Sequence, residues 1–336
     1  MPLPFFRIPE LCQLDIIEQL EFPDLFRLST CSQTTMQLLQ KAKLPPMNFH
    51  FLSVEKDRFY LVVVDSEKDV HVVFTVNFHD QRGGGGEDVL EWNGLEGLQF
   101  SENCGRFNVY SSDNKQTMAD QLISHLRKLL QHSKPDKLTI WPTNLTKRVI
   151  ESHFRKVGKL KFYDESKREL AREHLLWIMD TVEVTEHLKV ECEVREMRNK
   201  PKYRKGFKAR KVTITNPHWV HQKAIINSQT ETFKLYHVSP STTFINTILK
   251  RWITNSKLQN LKELDYTLDT TLSTLRFTEE FQNMVMKKLE QATLTADEQK
   301  RWDAMEKGKF CRFIRRIDGK VAVVIVNSDE FKFRVL

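Results

Sequence analysis

The sequence predicts a small three-helix module followed by a larger mixed domain, of the α+β or α/β class, that ends in a β-hairpin. Three observations predict this arrangement. Residues 5–45 contain short apolar runs at helical spacing, separated by residues that interrupt helices. After residue 48 the pattern changes to segments rich in Val, Phe and Tyr, and from Lys137 onward strand-like and helix-like segments alternate. We therefore place domains at 5–45 and 48–336.

The N-terminal module is predicted to contain three short helices. The first follows Pro9, since proline is accepted at a helix start, and it is broken by Phe22-Pro23-Asp24. The second presents Leu25 on its inner face, and Ser32 caps a third that stops at Pro45-Pro46. About 40 residues rarely bury a core sufficient for independent stability, so another surface must cover these helices.

Composition limits what the rest of the chain is. The 336 residues are 40% hydrophobic and 10% aromatic, which is typical of a globular protein. Five scattered cysteines without a C-x-x-C pair indicate reduced thiols in an intracellular protein and give no zinc pattern. The longest apolar runs are too short to span a membrane, and no secretory leader is recognisable. We expect a cytoplasmic or nuclear location without membrane insertion.

The positive charge is concentrated in one segment. The net charge is +8, and residues 195–211 alone contain nine Lys or Arg and one Glu, so the remainder sums to zero. Because the basic residues show no helical stripe and Pro201 and Gly206 interrupt them, we predict an exposed, mobile loop that contributes to partner choice and not to folding. The candidate contacts for an acidic partner are Arg198, Lys202, Arg204, Lys205 and Lys208.

Four roles for this loop stay open: solvation only, an acidic protein partner, a nuclear address, or nucleic acid. Nucleic acid ranks last because only Tyr203 and Phe207 are available to stack on bases.

The region after Pro46 begins with a predicted β-hairpin. Arg58 to Asp65 and Asp69 to Phe78 are rich in β-formers and flank a short polar loop. The glycines at 83–86 do not form a phosphate-binding loop, because Glu87-Asp88 follows them in place of Lys and Ser or Thr.

A weak repeat follows. Its strand-like segments start 22 and 23 residues apart in two pairs, close to the period of leucine-rich-repeat-like units. These strands are 137–140, 159–162, 211–214 and 234–237, with a further strand at 261–268 and one near 190–194. The predicted helices are 145–156, 169–182 and 243–254.

The last of these helices starts a second motif. Phe244, Ile248 and Trp252 recur at intervals of four, which predicts a buried face and a core position for Trp252. The string Asn246-x-x-Leu249-Lys250-x-Trp252-Ile253 and the ending Arg316-Ile317-Asp318-Gly319-Lys320 together are similar to the type 2 F-box-associated domain of nematode proteins. Asp-Gly is also a favoured hairpin turn.

The N-terminal module resembles an F-box through Ile8-Pro9, Ile16-Ile17 and the step Leu28-Ser29-x-x-Ser32. Taken alone, the segment is equally typical of an F-box and of an ordinary helical subdomain that packs on the rest of its own chain. The resemblance implies an adaptor without catalytic activity, which holds a Skp-type subunit, and through it a cullin, with residues 5–45 and an unknown protein target with the remainder. We expect the Skp-type subunit to contact an exposed apolar face made of Ile8, Pro9, Leu14, Ile17, Leu20, Leu25 and Leu28.

No catalytic motif competes with this reading. The sequence lacks G-x-S-x-G, H-E-x-x-H and a nucleotide-binding loop, so no cofactor or catalytic residue is assigned. His218 and His221 are spaced to share a helical face, yet no nearby Cys or carboxylate completes a metal site. Two alternatives remain, a basic nucleic-acid-binding protein and a folded scaffold whose F-box does not dock.

Overall fold

A computed structural model of the chain describes most of the sequence, in two compact units, Met1–Gly158 and Lys159–Leu336. The predicted helical module therefore shares its compact unit with more than a hundred further residues. The assignment of domains to 5–45 and 48–336 remains a prediction. Whether residues 48–336 unfold as one cooperative unit remains a prediction. The described residues are 5–42, 44, 47–55, 58–65, 70–77, 90–91, 99–103, 106–110, 115–131, 135–140, 147–163, 169–195, 202–238, 242–255, 257–268, 293–303, 310–326 and 330–336.

The first unit has helices before and after a set of strands. A 3-10 turn at Phe5–Arg7 precedes the helices α1 Glu10–Gln19, α2 Phe22–Cys31, α3 Gln33–Lys41, α4 Lys115–Leu129 and α5 Lys147–His153. The strands are β1 Met47–Glu55, β2 Arg58–Asp65, β3 Val70–Asn77, β4 Leu90–Glu91, β5 Gln99–Asn103, β6 Arg106–Tyr110 and β7 Pro135–Ile140.

The three N-terminal helices are confirmed. The Oγ of Ser32 accepts a hydrogen bond from the Thr35 amide at 3.1 Å, as expected of a cap for α3. One detail is wrong: Phe22 and Pro23 do not separate two helices but open α2, because proline is accepted in a first turn.

The strands of the first unit follow the order β7-β1-β2-β3-β6-β5-β4. Asp65 pairs with Val70 in the antiparallel register of β2 and β3, which confirms the predicted hairpin there. β1 pairs in parallel with β7, and β3 in parallel with β6. Phe51, Phe74 and Phe107 are buried, which places a core on this sheet. The glycines at 83–86 lie outside the described residues.

The second unit begins within β8 and alternates strands with helices. Its strands are β8 Lys156–Phe162, β9 Glu183–Val190, β10 Lys211–Thr215, β11 Thr232–Val238, β12 Glu263–Leu268, β13 Phe310–Arg315, β14 Val321–Val326 and β15 Glu330–Val335. Its helices are α6 Arg172–Thr181, α7 Gln222–Ile226, α8 Thr242–Ile253 and α9 Ala296–Asp303, with a 3-10 turn at Pro217–Trp219.

The strands of the second unit form a parallel part and an antiparallel part. β9, β10, β11 and β12 are parallel neighbours in that order, with α7 and α8 in the connections between β10, β11 and β12. β15 then joins β12 in antiparallel pairing and is followed across the sheet by β14 and β13. Each of the four repeat segments lies in a strand, whereas the strand expected near 190–194 is wrong, because β9 ends at Val190. The likeness to leucine-rich repeats remains a prediction.

The segments of the second motif contact each other in the core. Trp252 is buried on α8 as expected, and its ring lies edge-on to Phe333 at 5.1 Å. The Arg316 guanidinium lies 5.2 Å from the centre of the Trp252 ring and donates two hydrogen bonds to the Asp318 carboxylate, at 2.6 and 2.8 Å. The Ile317 amide also donates to the Ile253 carbonyl. These residues therefore join α8 to the turn between β13 and β14.

Candidate functional site

Helix α1 has one buried stripe and two exposed flanks. Ile17 is fully buried, and the side-chain Nε2 of Gln13 donates to the Ile8 carbonyl at 2.7 Å on the same side. Leu11 is 76% exposed and Ile16 43% exposed. These two lie about 140° apart around the helix, at 3.6 residues per turn, so they flank the buried stripe on opposite sides. The exposed surface of α1 is defined here by Leu11, Ile16 and, before the helix, Phe6, which is 54% exposed.

Helix α2 is held against the sheet of its own unit by an aromatic cluster. The ring of Phe26 packs at 4.6 Å from that of Phe74 on β3 and at 5.2 Å from that of Phe107 on β6. Phe22 adds an edge contact to Phe74 at 6.3 Å. Aromatic pairs at these separations are favourable beyond the area they bury. α2 is therefore an anchored helix and not a free docking element.

A buried polar contact fixes the same helix to α4. The Ser29 hydroxyl donates to the Phe26 carbonyl at 2.6 Å, so its oxygen accepts from Nε2 of His125 at 2.8 Å. Burial, reinforced by the charge of Lys128, lowers the pKa of His125 to about 4. The imidazole is neutral at physiological pH, which matches its role as a donor to a hydroxyl in a dry setting.

The predicted docking face is partly wrong. Ile17 and Leu25 are buried inside the chain's own first unit, at 0% and 1% exposure, and are closed to a partner in this arrangement. The periodic apolar stripe identified the residues that anchor the module, because the stripe of a helix faces the nearest core. The exposed flanks lie outside that stripe. Ile16 has a sequence signal in the Ile16-Ile17 step of the F-box resemblance, whereas Leu11 is marked only as an apolar residue outside the predicted face. Of the other predicted residues Pro9 is exposed, and the half-buried ones are Ile8, Leu14, Leu20 and Leu28.

The described part of the basic segment, residues 195 and 202–211, is packed within the second unit, which corrects the prediction of a mobile loop. The amide of Tyr203 donates to the Trp219 carbonyl at 2.9 Å, and the amide of Phe207 donates to Ser228 Oγ at 2.8 Å. Phe207 and Ala209 are buried. The high density of charge indicates an exposed segment, although apolar residues between the cations face the core.

The side chains of the same segment still form a cationic surface. Lys205 forms an ion pair with Asp180 at 2.6 Å, and both side chains are exposed. Among the described residues, no ion pair is recorded for Lys202, Arg204 or Lys208, all of which are exposed. Arg198 lies outside the described residues. Phe207 is in the core, and Tyr203 is half-buried with its ring against Phe207 and Trp219. The described part of this segment therefore lacks the exposed aromatic platform that nucleic-acid stacking needs.

The two histidines have structural partners. Nε2 of His218 donates to the Val194 carbonyl at 2.9 Å, and Nδ1 of His221 accepts from the Lys223 amide at the start of α7. They do not share a helix face, because His218 lies in the 3-10 turn and His221 precedes α7. In the described ranges, no group of three or more His, Cys, Asp or Glu is placed to hold a metal ion.

The comparisons with known proteins support the N-terminal assignment. Residues 5–46 match the F-box domain family, which coincides with α1 to α3. Neither the curated proteins nor the solved structures contain a match to this chain. The chain therefore carries an F-box domain at residues 5–46, which implies an adaptor role in a Skp/cullin/F-box ubiquitin ligase. No helix in the described residues combines the length and apolarity needed to span a membrane.

Proposed function

We propose that this protein is the substrate-recognition adaptor of a Skp/cullin/F-box ubiquitin ligase, and that residues 48–336 form a type 2 F-box-associated domain that captures the target. The observation that carries the proposal is the F-box match at 5–46, together with a first helix that leaves apolar side chains exposed. The chain then acts by proximity, since it holds target lysines near a ubiquitin-charged enzyme and raises their effective concentration.

Docking is assigned to the exposed surface of α1. A partner that receives a helix in a groove contacts both flanks of it, and Leu11 and Ile16 occupy opposite flanks. The buried side chain of Ile17 holds α1 in place for a partner, and the exposed pair of Glu10 with Lys41 on α3, at 2.7 Å, adds little to this. Anchoring and docking thus use different sides of the same module.

Co-purification with the Skp-type subunit tests the proposal. In the full chain, Leu11→Asp and Ile16→Asp each place a charge in the apolar interface, and we expect at least about a thirtyfold loss of affinity, as for a hot-spot residue worth about 2 kcal/mol. Gln19→Asp is the matched control, because it adds the same charge to an exposed position of the same helix. All three variants should keep the parent's thermal midpoint.

Ile17→Asp shows what a folding defect looks like in the same assays, for comparison with the two docking variants. Its carboxylate would enter the core of the first unit, so this variant should lose stability as well as docking. Full-strength binding by both Leu11→Asp and Ile16→Asp would refute the docking surface. A parent protein that fails to bind the Skp-type subunit at all would instead indicate a scaffold whose F-box does not dock.

The cationic surface is proposed to steer an acidic partner. Replacing its four described candidates with Gln should leave the thermal midpoint nearly unchanged, because all are exposed and the only recorded ion pair among them is a surface pair. Target capture should weaken, with the difference from the parent shrinking as salt is raised. Unchanged capture at low salt would remove this role. The four residues are Lys202, Arg204, Lys205 and Lys208.

A further inference from the structure

The strands β9, β10, β11, β12 and β15 form a sheet whose two faces differ in chemistry. Helix α8 packs on the apolar face, where the ring of Phe244 lies 6.4 Å from that of Tyr266, and the ring of Trp252 lies 5.1 Å from that of Phe333. Side chains alternate between the faces along each strand, so the face opposite α8 carries the residues in between. We call it the polar face, and on β9 to β11 it carries His187, Lys189, Lys211, Thr213 and Lys234.

The charges balance on the half of the polar face that is formed by β11, β12 and β15. Arg334 pairs with Glu263 at 2.9 Å, and Lys234 lies 3.4 Å from the same carboxylate. Three basic and three acidic side chains occur there, within 232–236, 263–267 and 330–334. This half of the face therefore neutralises itself and leaves no net charge for a ligand.

The other half of the polar face has more cations than carboxylates. Glu191 pairs with Lys161 at 3.0 Å and with Lys189 at 2.5 Å, so two lysines share one carboxylate. Lys211 is half-buried, and no ion pair is recorded for it with any described residue. Four lysines and two glutamates, an excess of two positive charges, occur within 159–161, 186–191 and 211–215.

The excess cations surround a histidine. His187 lies opposite Lys211 in the parallel register of β9 and β10, and its Nε2 lies 3.0 Å from Thr213 Oγ1. Burial, and after it the charges of Lys211 and Lys189, lower the pKa of His187 to about 4 although Glu191 opposes them, so the ring is neutral at physiological pH. The positive charge of this half therefore belongs to four side chains, here called the lysine row: Lys159, Lys161, Lys189 and Lys211.

The lysine row is accessible and extends across three strands. The side chain of Lys159 is 48% exposed and that of Lys189 is 33% exposed. Since neighbouring strands lie about 4.8 Å apart, the row from β8 to β10 is about 10 Å wide. A single compact anion covers only part of that width. In an extended peptide, alternate side chains lie about 7 Å apart on one side of the chain, so acidic residues at alternate positions match the row.

We propose that the lysine row binds an extended acidic segment of the target protein, with carboxylates at alternate positions over Lys189 and Lys211. The segment supplies the negative charge that this half of the polar face lacks. None of the four residues assigned to the cationic surface takes part. This inference rests on the proposed adaptor function, which requires a protein target, and it gives that target a chemical class and a place on the second unit.

Peptide binding to the full chain, measured by fluorescence anisotropy without the Skp-type subunit, tests the inference. The probe is a labelled peptide in which Glu and Ser alternate. Lys189→Gln and Lys211→Gln should each weaken binding about two- to fivefold, the effect of one partly exposed ion pair, and the double variant should lose more and depend less on salt. Lys250→Gln is the matched control, because it removes an exposed lysine of α8, on the other side of the sheet.

A second measurement locates the peptide. Negative charge over His187 favours the protonated imidazole, so the peptide should raise the pKa of His187 in an NMR titration. The thermal midpoints of the Gln variants should match that of the parent, since the lysines concerned are partly exposed. An unchanged pKa of His187 at saturating peptide would place the peptide elsewhere and refute the lysine row.

Three further results would overturn the assignment. One is no binding of the alternating Glu peptide at about millimolar concentration, the weakest affinity of interest. Another is equal binding of the same peptide with Gln for Glu, tighter binding of single-stranded RNA, or displacement by an equal concentration of inorganic phosphate, which would indicate a site for one compact anion. The third is unchanged affinity in the double variant. Lost peptide binding with intact Skp docking refutes the lysine row alone, whereas intact peptide binding without docking refutes the adaptor function.

Discussion

Gly206→Ala tests whether the basic segment is packed, because Gly206 lies against the backbone of Asn227 and Ser228, which follow α7. A Cβ at this position would lie 2.2 Å from the Asn227 carbonyl oxygen and 2.6 Å from its carbon. Both are backbone atoms, so no side-chain rotation relieves the clash. The neighbouring amide of Phe207 is held by Ser228 Oγ at 2.8 Å, and the Phe207 carbonyl accepts from Gln229 at 3.0 Å. The added methyl must therefore separate two segments that these bonds join.

The magnitude follows from that geometry. Relieving the contact needs a shift of about 1 Å, and overpacking of this kind costs about 1 to 3 kcal/mol. Weakening the two hydrogen bonds of Phe207 without breaking them adds about 1 kcal/mol in total. We expect a total of about 2 to 4 kcal/mol. For a unit of this size each kcal/mol lowers the thermal midpoint by about 2 to 4 °C, so the midpoint should fall by about 4 to 16 °C.

Thermal unfolding followed by circular dichroism gives the midpoint, and hydrogen exchange at the amides of Phe207 and Gln229 reports local detachment. Gly319→Ala is the control, because Gly319 has φ of 91° and nothing lies within 4 Å of its new Cβ. That variant carries backbone strain without a clash, at about 1 kcal/mol. An unchanged midpoint together with unchanged exchange in Gly206→Ala would refute the packed segment and restore the mobile loop.

Three further predictions concern the second unit. Trp252→Ala should cost about 3 to 5 kcal/mol in the free energy of unfolding, measured by urea denaturation, because the ring is fully buried; a loss near zero would mean that the face of α8 is misplaced. The hydrogen bonds from Arg316 hold the pKa of Asp318 at about 2, below its value in the unfolded chain, so its stabilising effect is complete above about pH 4 and disappears as pH falls through 2. The drop in thermal midpoint between pH 5 and pH 2 should therefore be smaller in Asp318→Asn than in the parent, and equal drops would contradict this. Tyr266→Phe should leave the free protein as stable or up to about 1 kcal/mol more stable, because its buried hydroxyl has no partner among the described residues and such a group is unfavourable. A clear loss of stability would show that the hydroxyl has a partner.

Local signals in the sequence predicted local structure well. Ser32 predicted a helix start through the chemistry of its side chain, and the spacing of Phe244, Ile248 and Trp252 predicted the buried face of α8. Both depend only on neighbours within a few turns. The hairpin of β2 and β3 was predictable for the same reason, since a short polar loop separates its two β-rich runs.

Contacts between distant segments were not predictable from one sequence. Nothing in the periodicity of α2 shows that Phe26 meets Phe74 and Phe107, although this decides which side of the module is free. The basic segment was misjudged because charge density indicates exposure of side chains and says nothing of the backbone beneath them. Lys189 and Lys211 come together on the polar face only through the register of β9 and β10.

The anchoring of the F-box domain decides how its function should be tested. Deleting residues 5–46 would remove Phe26 from between the rings on β3 and β6 and leave Nε2 of His125 without its Ser29 partner. The first unit would then expose apolar surface and a buried polar group at once, so its loss of stability would imitate a loss of docking. Substitutions at Leu11 and Ile16 avoid this, because both side chains already face solvent. Point changes on α1 are therefore the informative test of this adaptor, and truncation is not.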